Sequence, residues 1–404
     1  MSQETERDPG SSAGGPLRGL RVVSFEQAVA APFATRQLAD LGADVVKIEP
    51  PGRGDFARAY DEAVRGMSSF FVWLNRGKRS VALDPRHHAA TPVIDLLLGS
   101  ADVVVHNMSG RAAARLALTP DELRADRREL IAVAISGFGT GGPYSDRKAY
   151  DLLVQAEAGL LSVTGTAEQP VKVGASIADI AAGMYAFSGI LAALVERGRT
   201  GSGASIEISM LDALAEWMGA QAQYGAHSGV PAKRTGAHHA TIAPYGPYRT
   251  ADGTEIFLAV QNDAEWQRLV TSVAGEPELA DPRYATNVLR VRHRDDMDRL
   301  LKPALARFTG AQLCRLLDEQ RIAWSVQRDV KELTTHPQLR ARGRWVPTDS
   351  PVGLVETLAL PGWPASTSPA ARIPALGEHT DDVLTSLGLG AAAIAELRRS
   401  GALG

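Results

Sequence analysis

From Leu20 onward, short apolar runs alternate with longer stretches whose apolar residues recur at helical spacing, a pattern that predicts an α/β domain built on a parallel sheet. RVVSFE, from Arg21, predicts a strand, and PFATRQLADLGA, from Pro32, a helix closed by a glycine turn. DVVKIE from Asp44 is the next strand, followed by the loop PPGRGD and the strand RSVALD from Arg79. TPVIDLLLGS then reads as a helix, ADVVVHN as a strand, TPDELRAD as a helix capped by Thr119, and LIAVAISG as a further strand.

The stretch from Ile180 to Val195 is rich in Ala and Gly and predicts a helix buried against close neighbours; it is shorter than the ~20 residues of a bilayer span. GRTGSG turns the chain into the strand ASIEISM, and DALAEWMGAQAQYG is again helical. Near His227 the texture changes to Pro and Gly at short intervals, and Asp252-Gly253 between YGPYRTA and TEIFLAV predicts a hairpin, which a purely parallel sheet has no use for. The expected organisation is a disordered tail over 1–16, a large α/β domain beginning over 17–224, a smaller α+β domain over 225–335 with helices DAEWQRLVTSVA and GAQLCRLLDEQ, and a Pro-rich, loop-like segment over 336–404 that returns to the large domain and ends in a helix near Thr380.

Charge narrows the function. Lys and Arg number 43 against 46 Asp and Glu, a net charge of -3, which leaves no basic footprint for nucleic acid or a membrane surface. Cys314 is the sole cysteine and sits in a helical pattern, so it reads as a core residue rather than a disulfide or metal ligand. The polar N-terminus has no basic start followed by an apolar run, so a cytoplasmic protein is expected.

Four signals carry candidate chemistry. Gly137-Phe138-Gly139-Thr140-Gly141-Gly142 follows a strand but is not followed by a helix, so it is no dinucleotide fingerprint; its glycines let backbone pass close to a bulky ligand or turn without steric cost. Asp151 opens an apolar helical run, where the helix dipole favours a carboxylate. Arg58, Arg76, Lys78, Arg79, Arg86, Asn107 and Arg115 follow the ends of successive strands, where open α/β sheets bind ligands, and could serve a polyphosphate. The adjacent pair His238-His239 lies in a long loop without metal-site spacing, and neither a G-x-S-x-G elbow nor a Walker loop occurs.

Several stretches together resemble the class III CoA-transferases: LRGLRVVSFEQAVAAPFATRQLADLGADVVKIEPPGRGD, LNRGKRSVALD, ADVVVHN, ISGFGTGGPYSDRKAYDLLVQAEAGL, IADIAAGMYAFSGILAALVERGRTGSG, HPQLRARG and LGEHTDDVL. The resemblance implies a large Rossmann-like domain with a smaller one, an interlocked homodimer, and acyl-CoA and a carboxylic acid as substrates. It implies that Asp151 is the catalytic nucleophile, that Gln27 and Ala28 meet the CoA thioester region, that Gly137 is among the CoA-binding residues, and that Leu83, Arg86, Asn107 and Arg115 lie along the adenine, phosphate and pantetheine path. A lysine that one family member uses is Ser136 here. Racemases of the same family carry a histidine before the matching aspartate, where this chain has Tyr150, a poor base, so transfer is expected over isomerisation; Asp179 suits both.

The implied reaction runs through a mixed anhydride and an aspartyl-CoA thioester, which retains the thioester's energy and needs neither ATP nor a metal. Backbone N–H groups of the Gly137–Gly142 loop, or the Gln27 amide, are candidates for the oxyanion. Arg234, His238 and His239 are expected to meet a second substrate carboxylate, so the acyl group is expected to be a small dicarboxylic one: succinyl, mesaconyl, itaconyl or citramalyl. The alternatives are a racemase-like isomerase and a non-catalytic CoA-binding protein.

Overall fold

The structure, a computed structural model, describes residues 14–364 and 371–404. Most of the expected tail lies outside the described residues. The chain divides into two compact units: the first takes in residues up to 158 together with 174–219 and 337–404, and the second takes in 159–173 and 220–336.

In the first unit, six strands among the described residues form one parallel sheet: β1 (Arg21–Phe25), β2 (Asp44–Glu49), β3 (Lys78–Ala82), β4 (Val103–His106), β5 (Ile131–Ser136) and β6 (Ser205–Ser209), in the order β3-β2-β1-β4-β5-β6. Val22, Val23, Val103, Val104 and Val105 are buried, as expected of central strands covered on both faces by helices. The strand order reverses between β1 and β4, and such a reversal opens a crevice at the strands' carboxyl ends.

The helix Ile177–Thr200 runs 24 residues and is long and apolar enough to cross a membrane by length and composition. It packs on the helix Ala30–Asp40 and on β5 and β6. Gly183 makes that approach possible, since a Cβ there would lie 2.6 Å from the Ala30 carbonyl oxygen. One face, including Ala178, Ala182, Ala186 and Ile190, is buried, while Met184 and Val195 on the other are exposed. The expected close packing against neighbours is thus made through one face of the helix.

The second unit is built on an antiparallel sheet, β7 (Tyr245–Arg249), β8 (Glu255–Ala259) and β9 (Ala323–Val326), over a core that includes Trp266, Tyr248, Leu301 and Leu313. The hairpin turns at Asp252-Gly253: the Asp252 carboxylate accepts from the Thr250 hydroxyl at 2.6 Å, and Gly253 takes φ +81°. Residues 159–173 belong to this unit because the Arg234 guanidinium donates to the carbonyls of Thr166 and Ala167 at 2.7 and 2.8 Å. Back in the first unit, the segment expected to be loop contains an antiparallel pair, β10 (Trp345–Thr348) and β11 (Val355–Leu358). Pro347 disguised it, since proline belongs only on edge strands, and in a two-stranded sheet both strands are edges.

Candidate active site

The site begins where β1 and β4 end side by side, with Phe25 in register with His106. Just beyond them, Gln27 and Asn107 clasp each other: the Gln27 N–H donates to Asn107 Oδ1 at 3.0 Å, and Asn107 Nδ2 donates to the Gln27 carbonyl at 2.7 Å. Ala28 follows in the left-handed region at φ +62°, which costs a residue with a Cβ ~1–2 kcal/mol. Its N–H donates to Asp55 Oδ1 at 3.0 Å.

Beneath this turn lies a fully buried ion network. Lys47 Nζ donates to Asp55 Oδ2 at 2.6 Å and to Asn75 Oδ1 at 3.0 Å, and it stands 3.6 Å from Glu26 Oε1. Lys78 Nζ donates to the same Glu26 oxygen at 2.6 Å, and the Thr35 hydroxyl donates to Glu26 Oε2 at 2.6 Å. Burial would raise the Glu26 pKa, but Lys78 and Lys47 outweigh it and hold the carboxyl below the usual range. Burial would lower the Lys47 pKa, and Asp55, Glu26 and Glu49 outweigh it in turn. Each of these buried groups is thus paired and hydrogen-bonded, though at Lys78 burial outweighs Glu26 and lowers the ammonium to about 7.

Above the turn is a cavity of about 930 Å³, at the large end of small-molecule sites, lined by first-unit residues that include Gln27, Ala28, Asn107, Gly137, Asp151 and Asp179. One wall is aromatic, with Tyr60 edge-on to Phe70 and next to Phe56. Partial burial, aided by the charges of Asp55 and Asp179, pushes the Tyr60 phenol up to about 12. Arg111, Arg147 and Lys148 also line the cavity and are exposed.

The two aspartates differ sharply. Asp151 opens the helix Asp151–Glu157, and both its oxygens are occupied: Oδ1 accepts the Ala178 N–H at 2.8 Å and Oδ2 accepts Gln155 Nε2 at 2.7 Å. Asp179 sits in the first turn of the helix Ile177–Thr200, and neither of its oxygens accepts a hydrogen bond among the described residues. Burial, and then the charge of Asp151, push its carboxyl up to about 7.

The glycine loop turns through the left-handed region, with Gly139, Gly141 and Gly142 at φ +83°, +79° and +75°. A Cβ on Gly137 would stand 1.9 Å from the Cβ of Ala149, so this glycine makes room for the chain's own segment leading into Asp151, and it also lines the cavity.

Most of the strand-end cations have internal partners instead of facing a polyphosphate. Arg76 grips Asp40 through two 2.7 Å hydrogen bonds, Arg58 grips Glu49 at 2.8 and 2.7 Å, Lys78 is buried on Glu26, and Arg79 stands 3.5 Å from Asp44. Arg86 is exposed and forks onto Asp84, Arg115 is exposed, and Leu83 is buried against the core of the sheet. Arg234, His238 and His239 lie in the second unit and shape their own loop. Arg234 holds residues 166 and 167, His238 packs edge-on to Tyr248, and His239 stacks on Tyr245 while its Nδ1 accepts the Thr241 N–H. Sequence reasoning missed Asp55 and the exposed Arg111 and Lys148; an acid a few residues past a strand, and cations flanking the glycine loop, were the available signals.

The residues present fit a CoA thioester: a roomy cavity with an aromatic wall, exposed cations along its lining, and a Gln27 side-chain amide without a protein partner among the described residues. A family model described as CoA-transferase family III matches residues 17–380. The succinate–glutarate CoA-transferase of Agrobacterium fabrum is 34% identical over 387 residues, which cover 92% of this chain and 96% of that protein. The succinyl-CoA–D-citramalate CoA-transferase of Chloroflexus aurantiacus is 31% identical over 383 residues, covering 92% of this chain and 94% of that one. A crystal structure of a CAIB/BAIF family protein from Brucella suis matches with a TM-score of 0.79 at 33% identity, covering 93% of this chain and all of that one.

Proposed function

This chain belongs to CoA-transferase family III, and on that premise we propose that it moves CoA from a small dicarboxylic acyl-CoA to a free carboxylic acid through an aspartyl-CoA thioester. The relatives act, by their names, on succinate, glutarate and citramalate, which supports a succinyl donor and a C4 or C5 diacid partner. We assign the nucleophile to Asp179 in place of Asp151. The observation that carries this choice is the contrast in hydrogen bonding: Asp151 has both oxygens occupied, whereas Asp179 has neither. A carboxylate stripped of donors is the more nucleophilic of the two once ionised.

In this reading an Asp179 oxygen attacks the thioester carbon, the C–S bond breaks, and a mixed anhydride and CoA thiolate result. The thiolate attacks the aspartyl carbonyl, releasing the donor acid as its carboxylate and leaving aspartyl-CoA. The acceptor carboxylate then displaces the thiolate from the aspartyl carbon, and the thiolate attacks the acceptor's acyl carbon, freeing Asp179. The unpartnered Gln27 amide is the donor suited to the successive oxyanions. Asp151 holds the first turn of the long helix through the Ala178 N–H, a positioning role.

The expected cytoplasmic homodimer accompanies this proposal; apolar Leu152, Leu153 and Val195, exposed in the single chain, support an assembly that covers them. The test is to incubate the protein with succinyl-CoA, quench with hydroxylamine, and map the adduct by mass spectrometry. Label on Asp179 is expected; label on Asp151 alone would return the nucleophile to that residue, and label on neither would end the covalent reading.

A further inference from the structure

We propose that Asp55 is a positioning residue for the reaction, holding the Gln27–Ala28 turn in its left-handed form so that the Gln27 amide stays aimed into the cavity. The inference rests on the transfer reading above and adds to it the device that fixes the oxyanion donor.

The geometry leaves the turn few ways to move. On one side Asn107 takes both the N–H and the carbonyl of Gln27, and on the other Asp55 takes the N–H of Ala28. A backbone N–H lining an open cavity has water available, so nothing in the solvation of Ala28 requires a buried carboxylate as its partner. Yet Asp55 is completely buried, and its two oxygens are divided between two tasks: Oδ1 takes the N–H groups of Ala28 and Ala57, and Oδ2 takes Lys47 Nζ. Lys47 is anchored further by Asn75 and Glu26, and Asp55's own N–H donates to Glu49 at 2.9 Å. The carboxylate therefore cannot drift, and neither can the turn it holds. Ala28 lacks glycine's freedom at positive φ, so the conformation is imposed by these contacts and relaxes when they are lost. Asp55 also fixes the Phe56–Ala59 turn as its N-cap, which ties the aromatic wall to the same anchor.

Two experiments decide it. The first uses the unaltered protein and measures amide hydrogen exchange. The Ala28 N–H should exchange as slowly as those of β1, although the residue lines a cavity. Exchange at the rate of an exposed loop would overturn the clamp whatever the reaction proves to be. The second compares Asp55→Asn, Gln27→Ala and the double variant by steady-state kinetics with succinyl-CoA and glutarate. Asp55→Asn should lower kcat by ~10- to 100-fold, with a smaller change in KM for the thioester from the loosened Phe56–Ala59 turn. In kcat the double variant should fall no further than Gln27→Ala alone, because Asp55 reaches the chemical step through Gln27, while its cap on the Phe56–Ala59 turn bears on the cavity wall and is read in KM. Adding Ala28→Gly to Asp55→Asn should restore part of the loss by removing the steric resistance to the turn.

Losses that multiply in the double variant, or an Asp55→Asn enzyme with unchanged kcat, would overturn the proposal. If Asp55→Asn does not fold, the exchange measurement stands as the deciding result. Wild-type turnover in Gln27→Ala, with Ala28 still protected, would instead defeat the use of Gln27 in the transfer reading while leaving the clamp in place.

Discussion

Asp151 and Asp179 open two helices of one unit, and Asp151 Oδ1 accepts the backbone N–H of Ala178, the residue immediately before Asp179. The hydrogen bond brings a second negative charge close enough to help raise the Asp179 pKa, while burial does most of the raising. One carboxylate thus anchors the segment and tunes the other, an arrangement in which environment separates two like groups into two roles.

Asp179 is active in this scheme when ionised, so kcat/KM should rise with pH through about 7 and level off above it. Asp151→Asn removes the neighbouring charge and should move that acidic limb to lower pH. At pH 6 the variant should then run at a larger fraction of its own plateau, by about three-fold or more. A pH–rate profile of the two proteins checks this, and an unmoved limb would refute the coupling.

The raised pKa also has a cost in stability. The folded protein binds the Asp179 proton more tightly than the unfolded chain, whose carboxyl titrates near 3.8, so the group's contribution is complete below about pH 4 and is lost as pH rises to about 7. Asp179→Asn should therefore raise the melting temperature at pH 8, by the equivalent of a few kcal/mol at most, and leave it unchanged at pH 4. Calorimetry at the two values gives the answer.

Gly137→Ala should be costly although the added group is one methyl. Its Cβ would stand 1.9 Å from that of Ala149, so the segment carrying Tyr150 and Asp151 must back away from β5. A loss of about 1–3 kcal/mol in urea unfolding is expected, with a fall in kcat larger than that in Gly99→Ala, where an added Cβ meets nothing within 4 Å.

Arg76→Met separates the two readings of the strand-end cations. If Arg76 bound a phosphate, KM for the thioester would rise; since it grips Asp40, which Arg36 also holds at 2.8 Å, stability should fall by about 1–3 kcal/mol and KM should hold. Urea titration and steady-state kinetics on the same preparation distinguish these outcomes.

The parallel sheet was legible because its central strands are continuous apolar runs between glycine and proline signals, and the hairpin because Asp252-Gly253 demands one. Gln27, Ala28, Asn107, Gly137 and Asp151, which resemblance singled out, line one cavity. The charges were misread because a cation's partner is a fact of topology. Arg76 and Asp40 lie 36 positions apart, and no local spacing announces their meeting. Asp179 was legible only as an acid suiting transferase and racemase alike, because what distinguishes it in the structure is the absence of donors, which no sequence pattern records. The pairing of β10 and β11 was hidden by Pro347, and the attachment of residues 159–173 to the second unit by hydrogen bonds that reach 67 and 68 positions along the chain.

The clasp between Gln27 and Asn107 joins residues 80 apart. A polypeptide emerging from the ribosome can pair β1 with β2 and bury a first hydrophobic layer long before it owns the strand that completes this contact. During refolding, far-UV circular dichroism should accordingly recover ahead of the ability to retain substrate, and compact species lacking the fourth strand's docking should be well structured yet inert.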